Sequence, residues 1–263
     1  MLHSYDDYDE YDYDDDTDDE CSHDEPPPKR RKGGCLNRLI FFAALILCIA
    51  GTYLGCKGYE MYSRAVSILP VEEMISQLRE NEHYTYINDI PVQYREAVVA
   101  VEDRRFYLHH GIDPISLGRA VIQDIKSRSF AEGGSTITQQ LAKNIYFSQE
   151  KTLVRKAAEV FAAFDIEKNY SKDLILEMYM NSVYYGDNCY CIYDASMDYF
   201  GCAPADMDLY QCMLLAGVPN APSVYSPKVS PELAEQRRKQ VAEAMVAAGY
   251  ITQSEADAAT TDS

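Results

Sequence analysis

An unbroken uncharged run from Leu39 to Cys56 constrains this chain more than any other feature. As a helix rising 1.5 Å per residue it would be about 27 Å long, close to the thickness of a bilayer's hydrocarbon core. Lys29-Arg30-Arg31-Lys32 and Arg38 stand just before it. Cations on that side place the N-terminus in the cytoplasm and everything after Lys57 outside. The segment before the run is too long for the n-region of a cleaved signal peptide, so a signal anchor is expected. Tyr53-Leu54-Gly55-Cys56 is a faint lipoprotein-like cue, weakened by the bulky Tyr53.

The net charge of -18 is unevenly spread. Residues 1–28 hold thirteen Asp/Glu and no Lys or Arg, so the remainder is only mildly acidic. That remainder lacks the clustered basic stripe that phosphate neutralisation requires, which argues against a nucleic-acid partner. The Asp/Tyr-rich tail repels itself and has too little apolar surface to fold. It is either a solvated tail or a docking or modification segment carrying Tyr5, Tyr8, Tyr11 and Tyr13. With this orientation Cys189, Cys191, Cys202 and Cys212 lie outside, as disulfides or free thiols; four cysteines allow three pairings.

The expected organisation is a tail ending in the basic cluster (1–35), an anchor (36–56), a stalk (57–84), one domain (85–250) and a C-terminal tail (251–263). Helical patterns fill the domain almost without strands. The stalk holds a helical stretch, Val71 to Arg79. Pro91 and Pro114, preceded by Asp89 and Asp113, each mark a helix start. The first helix carries Tyr94, Ala97, Val98 and Val101 on one face, the second Leu117, Val121, Ile122 and Ile125. Ser135 is the expected cap of a helix through Asn144. Leu153 to Lys168 should bury Val160, Phe161 and Phe164. Ser171 opens a helix through Tyr179, and Met207–Ala216 and Pro231–Ala248 complete the list.

The chemistry concentrates between Glu102 and Glu159. Glu102-Asp103 stands where a helix gives way to a charged, aromatic segment. Such carboxylates are either a solvated helix end or a partly desolvated acid–base group. Gly133-Gly134-Ser135-Thr136 before a helix is either an ordinary loop or an anion cradle of backbone N–H groups. Lys143, Arg155 and Lys156 supply the cations a pyrophosphate would want. Arg155 and Glu159, four apart, share a helix face and could equally be a surface ion pair. His109 and His110 have no companion cluster at metal-ligand spacing.

Taken together, these segments resemble a known family. Glu102-Asp-x-x-Phe106-x-x-His109-x-Gly111-x-Asp113, Gly133-Gly-Ser-Thr-Ile-Thr-Gln-Gln-Leu-Ala-Lys-Asn144 and Arg155-Lys-x-x-Glu159 are similar to the first three motifs of the peptidoglycan glycosyltransferases (family 51). That domain occurs in class A penicillin-binding proteins and in monofunctional enzymes. Ser171-Lys-Asp-x-Ile-Leu-Glu177-x-Tyr-Met-Asn181 followed by Tyr185-Gly186 resembles the fourth motif, and Tyr199-Phe-Gly201 with Leu214-Leu-Ala-Gly217-x-Pro219 the fifth. Cys191 and Cys202 depart from the family pattern, where glycine and lysine are commoner.

The resemblance implies an all-α fold, a lysozyme-like lobe plus a small membrane-facing lobe between the first two motifs. It implies polymerisation of lipid II, held at the membrane, onto a growing glycan strand. Glu102 would be the general base and Glu159 a second functional carboxylate. Asp103, Phe106, His109, Gly134, Ser135, Thr136, Gln139, Gln140, Lys143, Asn144, Arg155, Lys156, Glu177 and Asn181 would bind substrate. Mg²⁺ or Mn²⁺ is the candidate cofactor, with no organic one. A transpeptidase or another wall-synthesis protein is the candidate partner, and moenomycin the expected inhibitor. No Ser-x-x-Lys segment follows, so a monofunctional enzyme in a bacterial cell membrane is expected. Two competing readings are a lytic glycosidase built on the same carboxylates and a catalytically silent scaffold.

Overall fold

A computed structural model describes residues 33–127, 134–148 and 150–259, without the side chains of 33–36 and 121–127. The acidic tail, Gly133, and the side chains of Val121, Ile122 and Ile125 lie outside the described residues. The elements are α1 (Gly33–Ile68), α2 (Val71–Arg79), α3 (Val92–Glu102), α4 (Pro114–Ser127), α5 (Ile137–Tyr146) and α6 (Leu153–Asn169). Then follow α7 (Lys172–Met180), α8 (Ile192–Phe200), α9 (Leu209–Gly217), α10 (Pro222–Tyr225), α11 (Pro231–Ala248) and α12 (Gln253–Ala258). No strand is present among the described residues, so the fold is all-α.

Within α1, Asn37–Ile68 is long and apolar enough to cross a membrane. The helix does not stop at Cys56. It runs on through the first part of the expected stalk, because Lys57 to Ile68 contains no helix breaker beyond Gly58. The rest of that stalk is core. Val71, Met74 and Ile75 of α2 are buried with α3 and α9, since their spacing puts all three on one helix face.

The centre of the fold is α3, packed on α9 and α11. Tyr94 and Tyr185 meet there, fully buried, with their hydroxyls 2.9 Å apart, which satisfies two polar groups away from water. Pro231 in the first turn and Gly249 at φ 79° bound α11 as the sequence indicates. Three helices, α8, α10 and α12, were not read from the sequence. Cys191 caps α8 by accepting from the Asp194 amide at 3.4 Å, and the expected C-terminal tail forms α12, which buries Ala256.

The buried face of α6 also differs from expectation. Ala158, Ala162, Ala163 and Ile166 are buried, whereas Phe164 is 44% exposed and Phe161 packs on Tyr59 and Tyr62 of α1. Small residues let α5 approach α6 closely, leaving no room for aromatic rings between them. Ile115 and Leu117 of α4 point outward, more than half exposed. Cys189, Cys191, Cys202 and Cys212 are free thiols. Burial pushes Cys191 and Cys212 up to about 12 and Cys189 to about 11, so none is a ready thiolate.

Candidate active site

The site is assembled by a polar joint at the end of α3. Asp103 accepts from His109 Nε2 at 2.9 Å and from the Ile137 amide at 3.0 Å, tying the segment after α3 to the first residue of α5. Thr136 caps α5 in a reciprocal box with Gln139, and its hydroxyl donates to the Gly111 carbonyl at 2.6 Å. Gly111, at φ 88°, lies so near α6 that a Cβ would stand 3.2 Å from the Ala163 backbone. One glycine and three polar side chains thus hold α3, α5 and α6 in register.

The cap is Thr136 rather than Ser135. That frees the Ser135 hydroxyl, which accepts from Lys156 Nζ at 2.5 Å. Asp113 caps α4 through the Ile115 amide and the Ser116 hydroxyl and pairs with Arg105 at 3.0 Å. Burial opposes its ionisation, but these donors and Arg105 together hold its carboxyl below the usual range.

Between these elements lies a cavity of about 870 Å³. Glu102 faces it from the last turn of α3, its side chain 9% exposed. Gln140 donates to Oε2 at 2.7 Å, while Oε1 is buried with no hydrogen-bond partner and has Arg237 at 4.0 Å. Burial raises the pKa of Glu102 above the ordinary carboxylate value. Gln140, Arg237 and Lys143 restrain that rise without cancelling it. The result is a carboxylate more basic than usual, with one oxygen free of hydrogen bonds.

Glu159, on α6, is handled differently. Lys156 reaches it at 2.9 Å and Arg155 at 3.3 Å, so its charge is met on both oxygens. The Arg155 contact is close but not aligned as a hydrogen bond, and Arg155 Nε and Glu159 Oε1 both lack one. Lys143 projects from α5 with no ion partner within 4 Å among the described residues. Burial lowers its pKa, Glu159 opposes that, and Arg155 and Lys156 add to it. Cations crowded together with unmet hydrogen bonds form a site suited to a polyanion.

Of the expected site residues, Glu102, Asp103, Gly134, Ser135, Thr136, Gln140, Lys143, Arg155, Lys156 and Glu159 line this cavity. The others do not. Glu177 accepts from Arg79, Tyr84 and the Ile87 amide. Asn181 brackets the Thr85 backbone on both its N–H and its carbonyl. These two strap residues 79–87 onto α7. Phe106 is fully buried beneath Lys172, His109 is spent on Asp103, Gln139 on its cap, and Asn144 lies off the cavity wall.

Arg237 of α11 was not singled out from the sequence, nor were Arg104 and Arg119, which also line the cavity. Arg237 reaches Glu102 by passing over Gly217, where a Cβ would stand 2.8 Å from its Cγ. The Gly217 already noted in the fifth motif is the signal for that passage. Among the described residues no three His, Cys, Asp or Glu converge as metal ligands. With Glu159 already paired to two cations, the donor set does not fit a divalent ion held by protein side chains.

The family model described as Transglycosylase matches residues 71–246. Penicillin-binding protein 1F of Bacillus subtilis is 48% identical over 185 residues, 70% of this chain and 26% of that protein. Penicillin-binding protein 1A/1B of the same organism is 38% identical over 244 residues, 86% of this chain and 27% of that protein. A Cupriavidus necator protein that carries the name transglycosylase is 41% identical over 191 residues, 73% of this chain and 82% of its own length. The chain thus spans about a quarter of the two penicillin-binding relatives.

Proposed function

The chain belongs to the transglycosylase family of the glycosyltransferase domain in class A penicillin-binding proteins, and from that premise we propose that it polymerises lipid II into β-1,4-linked peptidoglycan strands. The observation that carries this reading is the electrostatic split inside one cavity: a desolvated carboxylate at Glu102 opposite a group of cations around Glu159.

Glu102 takes the proton from the acceptor sugar's 4-hydroxyl as that oxygen attacks the donor's anomeric carbon. A new C–O bond forms, the bond to the α-linked pyrophosphate breaks, and configuration inverts. A base for this step needs more affinity for a proton than an exposed glutamate has, and burial supplies it. The departing undecaprenyl pyrophosphate carries away the electron pair and needs positive charge rather than an acid. Lys143, Arg155 and Lys156 provide that charge, and Glu159 fixes the positions of the latter two. Arg237, 4.0 Å from Oε1, restrains the rise that burial causes at Glu102.

The same reading places the N-terminus in the cytoplasm and the cavity outside the cell membrane, where the lipid-linked substrate is presented. Polymerisation of labelled lipid II by the detergent-solubilised chain, with and without moenomycin, tests it. Moenomycin-sensitive long strands are the expected product. Soluble muropeptides released from cell wall, with no polymer from lipid II, would instead support a lytic enzyme.

A further inference from the structure

Outside the cavity, one exposed turn is fixed more firmly than a plain connection needs. Between α7 and α8 the Tyr185 amide donates to the Cys189 carbonyl at 2.9 Å, and the Cys189 amide to the Gly186 carbonyl at 2.8 Å. The tip holds Asp187 at φ 48° and Asn188 at φ 63°, the two non-glycine residues with positive φ among those described. Asp and Asn are the side chains that tolerate this region best. The Tyr199 hydroxyl stands 2.7 Å from the Tyr185 carbonyl and 3.0 Å from Asp187 Oδ2. The Ser226 hydroxyl donates to the same Oδ2 at 2.7 Å. These contacts fix the backbone of the turn and leave its flanks bare. Tyr184 is 40% and Tyr190 61% exposed, and their ring centroids lie 4.8 Å apart.

We propose that Tyr184, Asp187, Asn188 and Tyr190 form a sugar-binding platform that holds the glycan strand beyond the cavity. The inference rests on the function proposed above and adds to it a place for product too long for the cavity. Only α10 and the residues just before it stand between the two. Pro219, Asn220 and Tyr225 line the cavity, while Pro222 lies against Gly186 and Ser226 bonds Asp187. A helix with its side chains is about 10 Å across, so the platform begins roughly two sugar rings past the cavity wall. Its chemistry selects the occupant. One face of a pyranose presents C–H bonds that pack on an aromatic ring, and the hydroxyls around its edge need hydrogen-bond partners beside that ring. Asp187 and Asn188 are exposed next to the two tyrosines, and both bonds to Asp187 fall on Oδ2, which leaves Oδ1 for a hydroxyl. A hydrocarbon chain has no use for that carboxylate, and a phosphate is repelled by it. Because the turn is already fixed, little freedom is lost in ordering it when a strand binds.

The chain has no tryptophan, so Tyr190→Trp keeps an aromatic face there and makes its fluorescence report on the platform alone. The full chain carrying this substitution, in detergent micelles with moenomycin present to occupy the cavity, is titrated with peptide-free glycan hexasaccharide. Emission should shift to the blue and saturate, and adding Tyr184→Ala should weaken binding roughly two- to tenfold. In the lipid II assay, Tyr184→Ala and Tyr190→Ala should shorten the strands severalfold while the initial rate of lipid II consumption is unchanged. Tyr190→Trp should keep strands at wild-type length. Circular dichroism shows whether each variant is folded, and the titration decides where an alanine variant is not. No spectral change, an equal change with the stem peptide alone, or wild-type strand length from the folded double alanine variant overturns the proposal. Wild type that makes polymer while the tryptophan chain binds no strand refutes the platform alone. A chain that binds strands through this tryptophan but makes no polymer refutes the enzymatic reading and leaves the platform standing.

Discussion

Glu102 closes α3 with one oxygen unpartnered and its nearest cation, Arg237, 4.0 Å away; Glu159, inside α6, has Lys156 at 2.9 Å and Arg155 at 3.3 Å. Both face one cavity, yet burial acts on them to different ends. At Glu102 desolvation outweighs the nearby donors and the carboxylate is kept basic. At Glu159 the cations are close enough to hold a fixed anion, which in turn keeps two long side chains aimed at the cavity. A proton acceptor and an electrostatic organiser need these opposite treatments, and pairing Glu102 as tightly as Glu159 would lower its basicity.

Glu102→Gln should have the largest effect, cutting strand formation by about 10²–10⁴-fold in the lipid II assay. Its folded pKa lies above the unfolded one, so the ionised form lowers stability. That loss is absent below the unfolded pKa and grows as pH rises through the folded pKa. The same variant should therefore keep or raise its Tm at neutral pH. A lower Tm would mean Glu102 is a structural anion and would erase the contrast.

Glu159→Gln should reduce turnover by about 10²-fold and also destabilise the fold. Losing one partner of a buried pair costs about 3–5 kcal/mol, but Lys156 is 41% exposed, so about 2 kcal/mol is expected. Thermal unfolding of the two variants side by side gives the comparison its sharpest form.

Arg237→Gln, which also removes a hydrogen bond to Gln240 at 2.9 Å, should act on activity through Glu102. Removing the cation lets the pKa of Glu102 rise further, so the acid limb of kcat/KM should move to higher pH, with about a tenfold loss near neutrality. A loss of activity with no movement of that limb would assign Arg237 to substrate binding instead.

Asn181→Ala should change activity least. It breaks two hydrogen bonds to the Thr85 backbone and should cost about 1–3 kcal/mol of stability while leaving KM for lipid II unchanged. A raised KM with normal stability would return Asn181 to the binding site.

Most of the cavity was legible as chain order because many of its lining residues are local: Ser135 to Lys143 and Arg155 to Glu159 each sit within a few helical turns. Glu177 and Asn181 lie outside the cavity because a polar side chain in a motif can face either a ligand or the backbone of a neighbouring segment. Here the backbone of residues 79–87 needed buried partners, and these two supply them. Arg237 went unrecognised because its neighbour Glu102 is remote in the chain, and only the path over Gly217 joins them. α12 did carry a readable signal, the Thr252-x-x-Glu255 capping box. α8 carried only its closing signal, Gly201 at φ 69°, since cysteine is not among the side chains expected to cap the start of a helix.

By itself the sequence determined the apolar helix and the all-α class, because periodicity, caps and uncharged length are local properties of the chain. Only the tertiary structure decided which polar groups face the cavity, which carboxylate is desolvated and which is paired, and where α1 docks. Those outcomes depend on distances of a few ångströms between residues remote in the chain, and on the exclusion of water that only packing produces.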